Sequence, residues 1–150
     1  FLLNYFRRRL QSLAKDGIAR FKHPVLPGDR RRGFRKIRYA AAQGNARAEA
    51  YLGWLYLSGR FPPRKKKKGL ELLNRALAQN SPEAMVWLGD YYFRGLGGRV
   101  DYQKAAPLYQ RATDAGHPRA AGRLGFMYEQ GLGLELDREK AAHFYRMAAD

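Results

Sequence analysis

Histidines are the side chains best suited to acid–base or metal chemistry in this chain, which contains no cysteine. His23 precedes a proline, His117 stands at the start of a predicted helix, and His143 lies in the middle of another. No two of them share a metal-ligand spacing with a carboxylate, so we assign each a structural or solvent-exposed role. The lack of cysteine excludes disulfides, zinc–thiolate sites and a thiol nucleophile. The sequence predicts neither a metal site nor a bound cofactor.

Glycine-rich loops and a few hydroxyl side chains are the remaining candidates for chemistry. Residues 95–98 (GLGG) and 131–133 (GLG) follow predicted helices rather than strands, so they lack the context of a phosphate-binding loop. No hydroxyl side chain lies in a nucleophile-elbow pattern; those considered are Ser12, Ser58, Ser81 and Thr113. We therefore predict a protein without catalytic residues.

Positive charge is concentrated in the first half of the chain. The net charge is +16, and residues 1–68 contain 19 basic and 3 acidic side chains, whereas residues 69–150 contain 10 of each. The basic patch consists of Arg7, Arg8, Arg9, Arg30, Arg31, Arg32, Arg64, Lys65, Lys66, Lys67 and Lys68. This polarity is typical of a neutral module with one basic end rather than of a uniformly basic polyanion binder.

The basic patch has three open interpretations: solvated helix ends, a site for an anionic partner, or a membrane-surface contact. The anionic partner could be an acidic protein, a nucleic acid or an envelope polymer. Residues 1–9 (FLLNYFRRR) favour a membrane, because they resemble an amphipathic interfacial helix or the exit of a membrane helix. Since the chain has no groove-reading motif, we rank a protein partner above nucleic acid.

A repeat of 36 residues organises most of the chain. Its first full copy contains Ala48, Leu52, Gly53, Tyr56 and Gly59, and the same residue types recur 36 and 72 positions later. An alanine column at positions 40, 76, 112 and 148 has the same period. Such a fixed period is the signature of a repeat architecture.

Each repeat is predicted to form two helices. The first copy places its apolar residues at the spacing of one helix face. Polar caps are expected at 45 and 81, the glycine column ends each first helix, and the second helices follow aspartates at 101 and 137. We expect burial of Leu52, Tyr56, Leu72, Ala76, Leu88, Tyr92, Leu108, Ala112 and Leu124, and a core role for Tyr109, Tyr128 and Tyr145.

The motif A-x-x-x-L-G-x-x-Y-x-x-G-x-G, followed by D-x-x-K-A and Y-x-x-A, resembles the Sel-one-like repeat family. Residues 95–106 and 131–142 match it closely. The resemblance covers about residues 29–150 and implies an all-α fold, a right-handed α/α superhelical solenoid of about eight helices. It also implies a role in protein–protein interaction or assembly rather than one reaction.

Residues 1–28 do not follow the repeat frame. Asp16 and Arg20 occupy its leucine and tyrosine columns, although Gly17 fits the glycine column. We interpret residues 1–28 as a diverged, basic capping helix with a linker, and residues 29–150 as the second helix of a preceding repeat followed by three hairpins. Solenoids commonly end in atypical repeats. The first full repeat also departs at residues 60–65 (RFPPRK), where its inter-helix loop lacks the glycines and the aspartate.

Partner binding is expected on the concave face that the family resemblance implies. Its predicted residues are Arg47, Trp54, Leu57, Glu83, Asp90, Phe93, Arg94, Arg119, Phe126 and Glu129. Aromatic and arginine side chains often anchor interfaces, although these rings could also pack against neighbouring helices. We therefore expect a non-catalytic scaffold that binds a protein or peptide segment, with the basic half attracting an acidic partner or surface. The alternative is a polyanion binder or a membrane-attached assembly factor. The compartment stays open between a bacterial cytoplasm and periplasm, as does the oligomeric state.

Overall fold

Eight α-helices form the regular structure in a computed structural model that describes residues 2–24, 28–60 and 65–150. They are α1 (Leu2–Lys22), α2 (Asp29–Ala42), α3 (Ala46–Ser58), α4 (Lys66–Ala78), α5 (Pro82–Phe93), α6 (Tyr102–Asp114), α7 (Pro118–Gln130) and α8 (Arg138–Ala149). These three ranges contain no β-strand, and none of their helices is long and apolar enough to cross a membrane. The chain forms two compact units, a first unit (Phe1–Ala84) and a second unit (Met85–Asp150).

The predicted helix boundaries are confirmed by their caps. The side chain of Asn45 accepts a hydrogen bond of 2.9 Å from the backbone N–H three residues later. Asp101 and Asp137 accept equivalent bonds of 3.0 and 2.9 Å at the starts of α6 and α8. Gly59 and Gly131 end α3 and α7 in the left-handed conformation, with φ of 66° and 64°. These caps satisfy backbone groups that would otherwise have no partner within the helix.

Two glycine pairs bring helices of the first unit into backbone contact. A Cβ atom added to Gly53 would lie 2.7 Å from the carbonyl oxygen of Gly69, and the reverse distance is also 2.7 Å. Gly17 and Gly33, located 36 residues earlier, face each other in the same way at 3.0 and 2.6 Å. Only glycine allows two helix backbones to approach so closely. The matching contacts place α1 on α2 in the same antiparallel register as α3 on α4.

The first hairpin uses ion pairs where the later repeats have leucine and tyrosine. Asp16 pairs with Arg20 at 3.1 Å and also with Lys36, while Arg20 Nη1 lies 3.2 Å from Asp29 Oδ1. The hydrogen bond from Lys36 lowers the pKa of Asp16, although partial burial raises it. Asp16 and Arg20, which departed from the repeat frame in the sequence, therefore link α1 and α2 by charge.

Most of the predicted core is buried. The buried positions are Leu52, Tyr56, Leu72, Ala76, Leu88, Ala112, Leu124 and the additional Tyr109. Leu108, Tyr92 and Tyr128 are only half-buried, and Tyr145 is exposed, so the core prediction was too broad for these four. The ammonium groups of Lys104 and Lys140 lie 5.4 Å from the ring centres of Tyr92 and Tyr128. The repeated lysine column thus covers two rings that the fold leaves at its surface.

Candidate partner-binding cleft

The predicted groove residues differ widely in their access to solvent. Trp54, Leu57 and Asp90 are only 7, 2 and 0% exposed. Their burial removes them as anchors for a partner, because each side chain is already enclosed by its own fold. Glu83 and Phe93 are partly exposed, and the exposed members are Arg47, Arg94, Arg119, Phe126 and Glu129.

Asp90 is the centre of a buried polar cluster in the second unit. The hydroxyl of Tyr109 donates a hydrogen bond of 2.6 Å to Asp90 Oδ1, and Arg123 Nε lies 3.3 Å from the same oxygen. Arg119 bonds the other carboxylate oxygen. Burial, the charge of Asp90 and this hydrogen bond raise the pKa of Tyr109 above its usual range. Arg123 also lies 5.5 Å from the ring centre of Phe93. The predicted groove residues Asp90, Phe93 and Arg119 therefore take part in the packing of this unit.

A second buried carboxylate, Glu49, lies in the first unit and was not singled out from the sequence. Gln79 Nε2 donates a hydrogen bond of 2.8 Å to Glu49 Oε2. Arg75 Nη2 lies 2.6 Å from Oε1 as an ion pair without hydrogen-bond geometry. Burial raises the pKa of Glu49, and its two partners counter this only in part. The signal in the sequence is an acidic residue within the otherwise apolar run of residues 48–57 (AEAYLGWLYL).

A cleft of about 1,100 Å³ opens in the first unit and combines residues from both predicted sets. Helix α1 forms one wall, and residues 43–47 and 79–83 form the other. Four cationic side chains line it: Arg7, Arg8, Lys15 and Arg47. Arg7 and Arg8 come from the predicted basic patch, whereas Arg47 comes from the predicted groove. The sequence had not connected these two sets.

Among the described residues that line this cleft, Glu83 is the single carboxylate. Its Oε1 atom lies 3.5 Å from Arg47 Nε, and its Oε2 atom accepts a hydrogen bond of 3.2 Å from Ser81 Oγ. Lys15, which the sequence analysis missed, follows Arg7 by eight residues. Eight residues are about 2.2 helical turns, so Lys15 and Arg7 lie about 80° apart on the same side of α1, a spacing visible in the sequence. The cleft wall consequently carries an excess of positive charge.

The other basic clusters lie at the opposite end of the first unit. Residues 30–32 stand in the first turn of α2, and residues 65–68 stand at the start of α4. The cleft instead adjoins the ends where α2 and α4 finish and α3 begins. Eleven residues along α2 separate residue 32 from Gln43 in the cleft wall, which corresponds to about 16 Å. The predicted basic patch therefore forms two separated surfaces. Its member Arg64 lies in residues 61–64, which are outside the described residues.

The second unit has a shallower cleft of about 500 Å³. Arg119, Phe126 and Tyr145 contribute to its walls. Arg119 is already paired with Asp90, and the Tyr145 hydroxyl donates a hydrogen bond of 2.8 Å to Glu129. Phe126 is thus the predicted groove residue that offers an exposed aromatic surface here.

Metal-ligand geometry is not found in the part of the chain that the structure describes. No three histidine, aspartate or glutamate side chains within residues 2–24, 28–60 and 65–150 lie close enough together to hold a metal ion. His117 precedes α7 in the cap column but makes no side-chain cap bond there.

Comparisons with known proteins identify the repeat. A family model of the Sel1 repeat matches residues 46–81, 82–117 and 118–150. A crystal structure of a Sel1 repeat protein from Oxalobacter formigenes is similar, with a TM-score of 0.78 and 26% identity, over 93% of this chain and 57% of that one. The c5321 protein, a protective antigen of uropathogenic Escherichia coli with an SLR fold, has a TM-score of 0.76 and 26% identity, over 93% of this chain and 30% of that one. The chain thus spans less than two thirds of either protein. No curated protein sequence matches it significantly.

Proposed function

The chain belongs to the Sel1 repeat family, and we propose that it is a non-catalytic scaffold whose cleft in the first unit binds an acidic segment of a partner protein. Proteins of this family generally act in protein–protein interaction. The fold of this family typically serves as a scaffold rather than as a catalytic framework. The fold class predicted for this chain, an all-α helical repeat solenoid, is confirmed.

The charge of the cleft is the observation that carries this proposal. Its walls hold Arg7, Arg8, Lys15 and Arg47 against one carboxylate, Glu83. Guanidinium groups bind carboxylates through paired, charge-assisted hydrogen bonds. A partner with several closely spaced acidic residues would therefore fit this cleft better than a neutral one. Such complementarity contributes mostly to specificity and to the rate of association.

We propose that α1 and α2 also belong to the repeat array, as the repeat that precedes α3 and α4. The Gly17–Gly33 contact repeats the geometry of Gly53–Gly69, and it lies 36 residues earlier. We therefore assign α2 to the second helix of a preceding repeat and α1 to its diverged first helix. In the second unit, the exposed Arg94, Phe126 and Glu129 are proposed as a separate surface for protein contact.

Binding of a nucleic acid or an anionic envelope polymer is the alternative, and the net charge of +16 supports it. A duplex would have to engage basic clusters that lie at opposite ends of the first unit. Each phosphate neutralised on duplex DNA lowers the logarithm of affinity by about 0.9 per tenfold rise in salt. Binding of random DNA that persists at physiological salt with a slope of several units would favour this alternative over the cleft.

The cleft can be tested with a fluorescent decaglutamate peptide as the probe. We expect Lys15→Glu/Arg47→Glu to weaken peptide binding at least tenfold, measured by fluorescence anisotropy. The control Arg31→Glu/Lys67→Glu makes the same change in net charge at the other end of the unit and should weaken binding less than threefold. Glu83→Gln, which frees Arg47 from its carboxylate partner, should strengthen binding.

Equal losses in the two double variants would contradict the cleft proposal, because only the overall charge would then matter. Circular dichroism should show unchanged helicity in every variant. All the altered side chains are at least partly exposed, so none of these changes disturbs the core.

A further inference from the structure

Helix α1 extends beyond the hairpin that it forms with α2. It has 21 residues, whereas α2 has 14 and α3 has 13. In the antiparallel register set by Gly17 and Gly33, Arg8 lies level with Ala42, the last residue of α2. Position 10 also corresponds, 36 residues earlier, to Ala46, the first residue of α3. Residues Leu2–Arg9 are here called the arm, and the first six of them project about 9 Å past the end of α2.

The arm combines exposed apolar side chains with arginines and has no acidic residue. Leu2, Leu3, Tyr5 and Phe6 are 70, 66, 54 and 57% exposed. At 100° per residue these four side chains share an arc of about 160° around the helix. Residues 7–9 follow at once as three exposed arginines. Two helical turns thus present an apolar face with positive charge on and beside it.

We propose that the arm docks the protein on an anionic membrane surface. The boundary between headgroups and acyl chains offers an apolar layer and negative charge within a few ångströms, which is the pairing that the arm presents. Arginine side chains can reach the headgroups while the helix lies lower in the interface. An acidic protein segment would pair with the arginines but would leave the four apolar side chains in water.

The arm and the cleft can be tested separately, although Arg7 and Arg8 belong to both. None of the arm's four apolar side chains lines the cleft. Changing those side chains therefore tests membrane docking without altering the charge that the cleft presents. Conversely, Lys15 and Arg47 test the cleft without changing the arm.

Docking through two turns of helix should be weak and reversible, because its strength depends on buried apolar area and on charge. Each arginine near an anionic surface strengthens binding about fivefold. Loss of all three arginines should therefore weaken binding roughly 100-fold. Vesicles without anionic lipid should retain little protein.

The test is co-sedimentation with vesicles of phosphatidylcholine and phosphatidylglycerol in equal parts, compared with pure phosphatidylcholine. The apolar variant is Leu2→Ser/Leu3→Ser/Phe6→Ser, and its control is Val100→Ser/Leu136→Ser, which changes exposed apolar residues of the second unit. The charge variant is Arg7→Gln/Arg8→Gln/Arg9→Gln, and its control is Arg30→Gln/Arg31→Gln/Lys67→Gln. Circular dichroism checks that all four remain folded.

The unaltered chain and both controls should sediment with the anionic vesicles, and both arm variants should stay in solution. A Leu3→Trp variant should show a blue-shifted emission when anionic vesicles are added. An unaltered chain that stays in the supernatant would overturn the proposal, as would arm variants that sediment like their controls. If the charge variant loses affinity for decaglutamate and the unaltered chain does not sediment with vesicles, the arm binds an acidic protein instead of a membrane.

Discussion

Replacing Gly53 by alanine should destabilise the first unit, whereas the same replacement at Gly122 should stabilise the second. Both glycines lie inside helices, α3 and α7, so both substitutions improve intrinsic helix propensity. Their surroundings differ. A Cβ on Gly53 would meet the Gly69 carbonyl oxygen at 2.7 Å and Leu73 Cγ at 2.9 Å. A Cβ on Gly122 would meet only the Cβ of Ala148, at 3.7 Å, an ordinary contact.

The expected magnitudes follow from these distances. Overpacking a close contact costs about 1–3 kcal/mol, and alanine in a helix recovers at most about 1 kcal/mol relative to glycine. The oxygen facing Gly53 belongs to the backbone and cannot rotate away, so α3 and α4 must separate. We expect a net loss of about 2 kcal/mol for Gly53→Ala. For Gly122→Ala, we expect a gain of about 0.5–1 kcal/mol.

Urea denaturation followed by circular dichroism measures both free-energy changes. A loss of about 2 kcal/mol corresponds to a fall in melting temperature of about 4–8 °C in a chain of this size. If Gly53→Ala were neutral or stabilising, α3 and α4 would not pack through the glycine pair. The proposed equivalence of the first hairpin would then lose its structural basis.

Two further changes probe the buried carboxylates. Burial raises the pKa of Glu49 above its ordinary 4.5, so the folded chain binds the carboxyl proton more tightly than the unfolded chain does. The contribution of Glu49 to the free energy of unfolding therefore falls as the pH rises from about 4.5. Urea denaturation at about pH 4 and about pH 7 should therefore show Glu49→Gln gaining stability relative to the parent chain at the higher pH, and an unchanged difference would contradict this. Tyr109→Phe removes the hydrogen bond to Asp90 and should cost about 1.5–3 kcal/mol in a thermal or urea melt, since bonds to charged groups are the stronger ones; a loss below about 0.5 kcal/mol would show that the bond contributes little.

The helices and their ends could be predicted because local rules determine them. The side-chain caps at Asn45, Asp101 and Asp137 form within three residues of sequence. Glycines such as Gly59 adopt the left-handed conformation that ends a helix. A 36-residue period then repeats these local signals, so one hairpin predicts the next.

Burial in the groove could not be predicted, because it depends on which distant side chains meet. The buried Asp90 pairs with Arg119, which lies 29 residues away, and accepts a hydrogen bond from Tyr109 on the next helix. The sequence favours Trp54 equally as an anchor and as a packing residue, and the structure buries it. The cleft could not be predicted either, since it forms where α1 meets residues 43–47 and 79–83, which are distant in sequence. The separation of the basic clusters, by contrast, follows from the antiparallel hairpins and was accessible from the sequence.

The most direct test of the central claim is a map of backbone amide shifts in the ¹⁵N-labelled chain during titration with unlabelled decaglutamate. Our account predicts saturable shifts at cleft residues such as Gln11, Gly44 and Ala46. Residues 30–32 and 66–68, which are equally basic but lie at the other end of the unit, should shift little. Shifts concentrated at those two clusters, or spread evenly over all basic residues without saturation, would contradict the claim that the cleft selects an acidic partner.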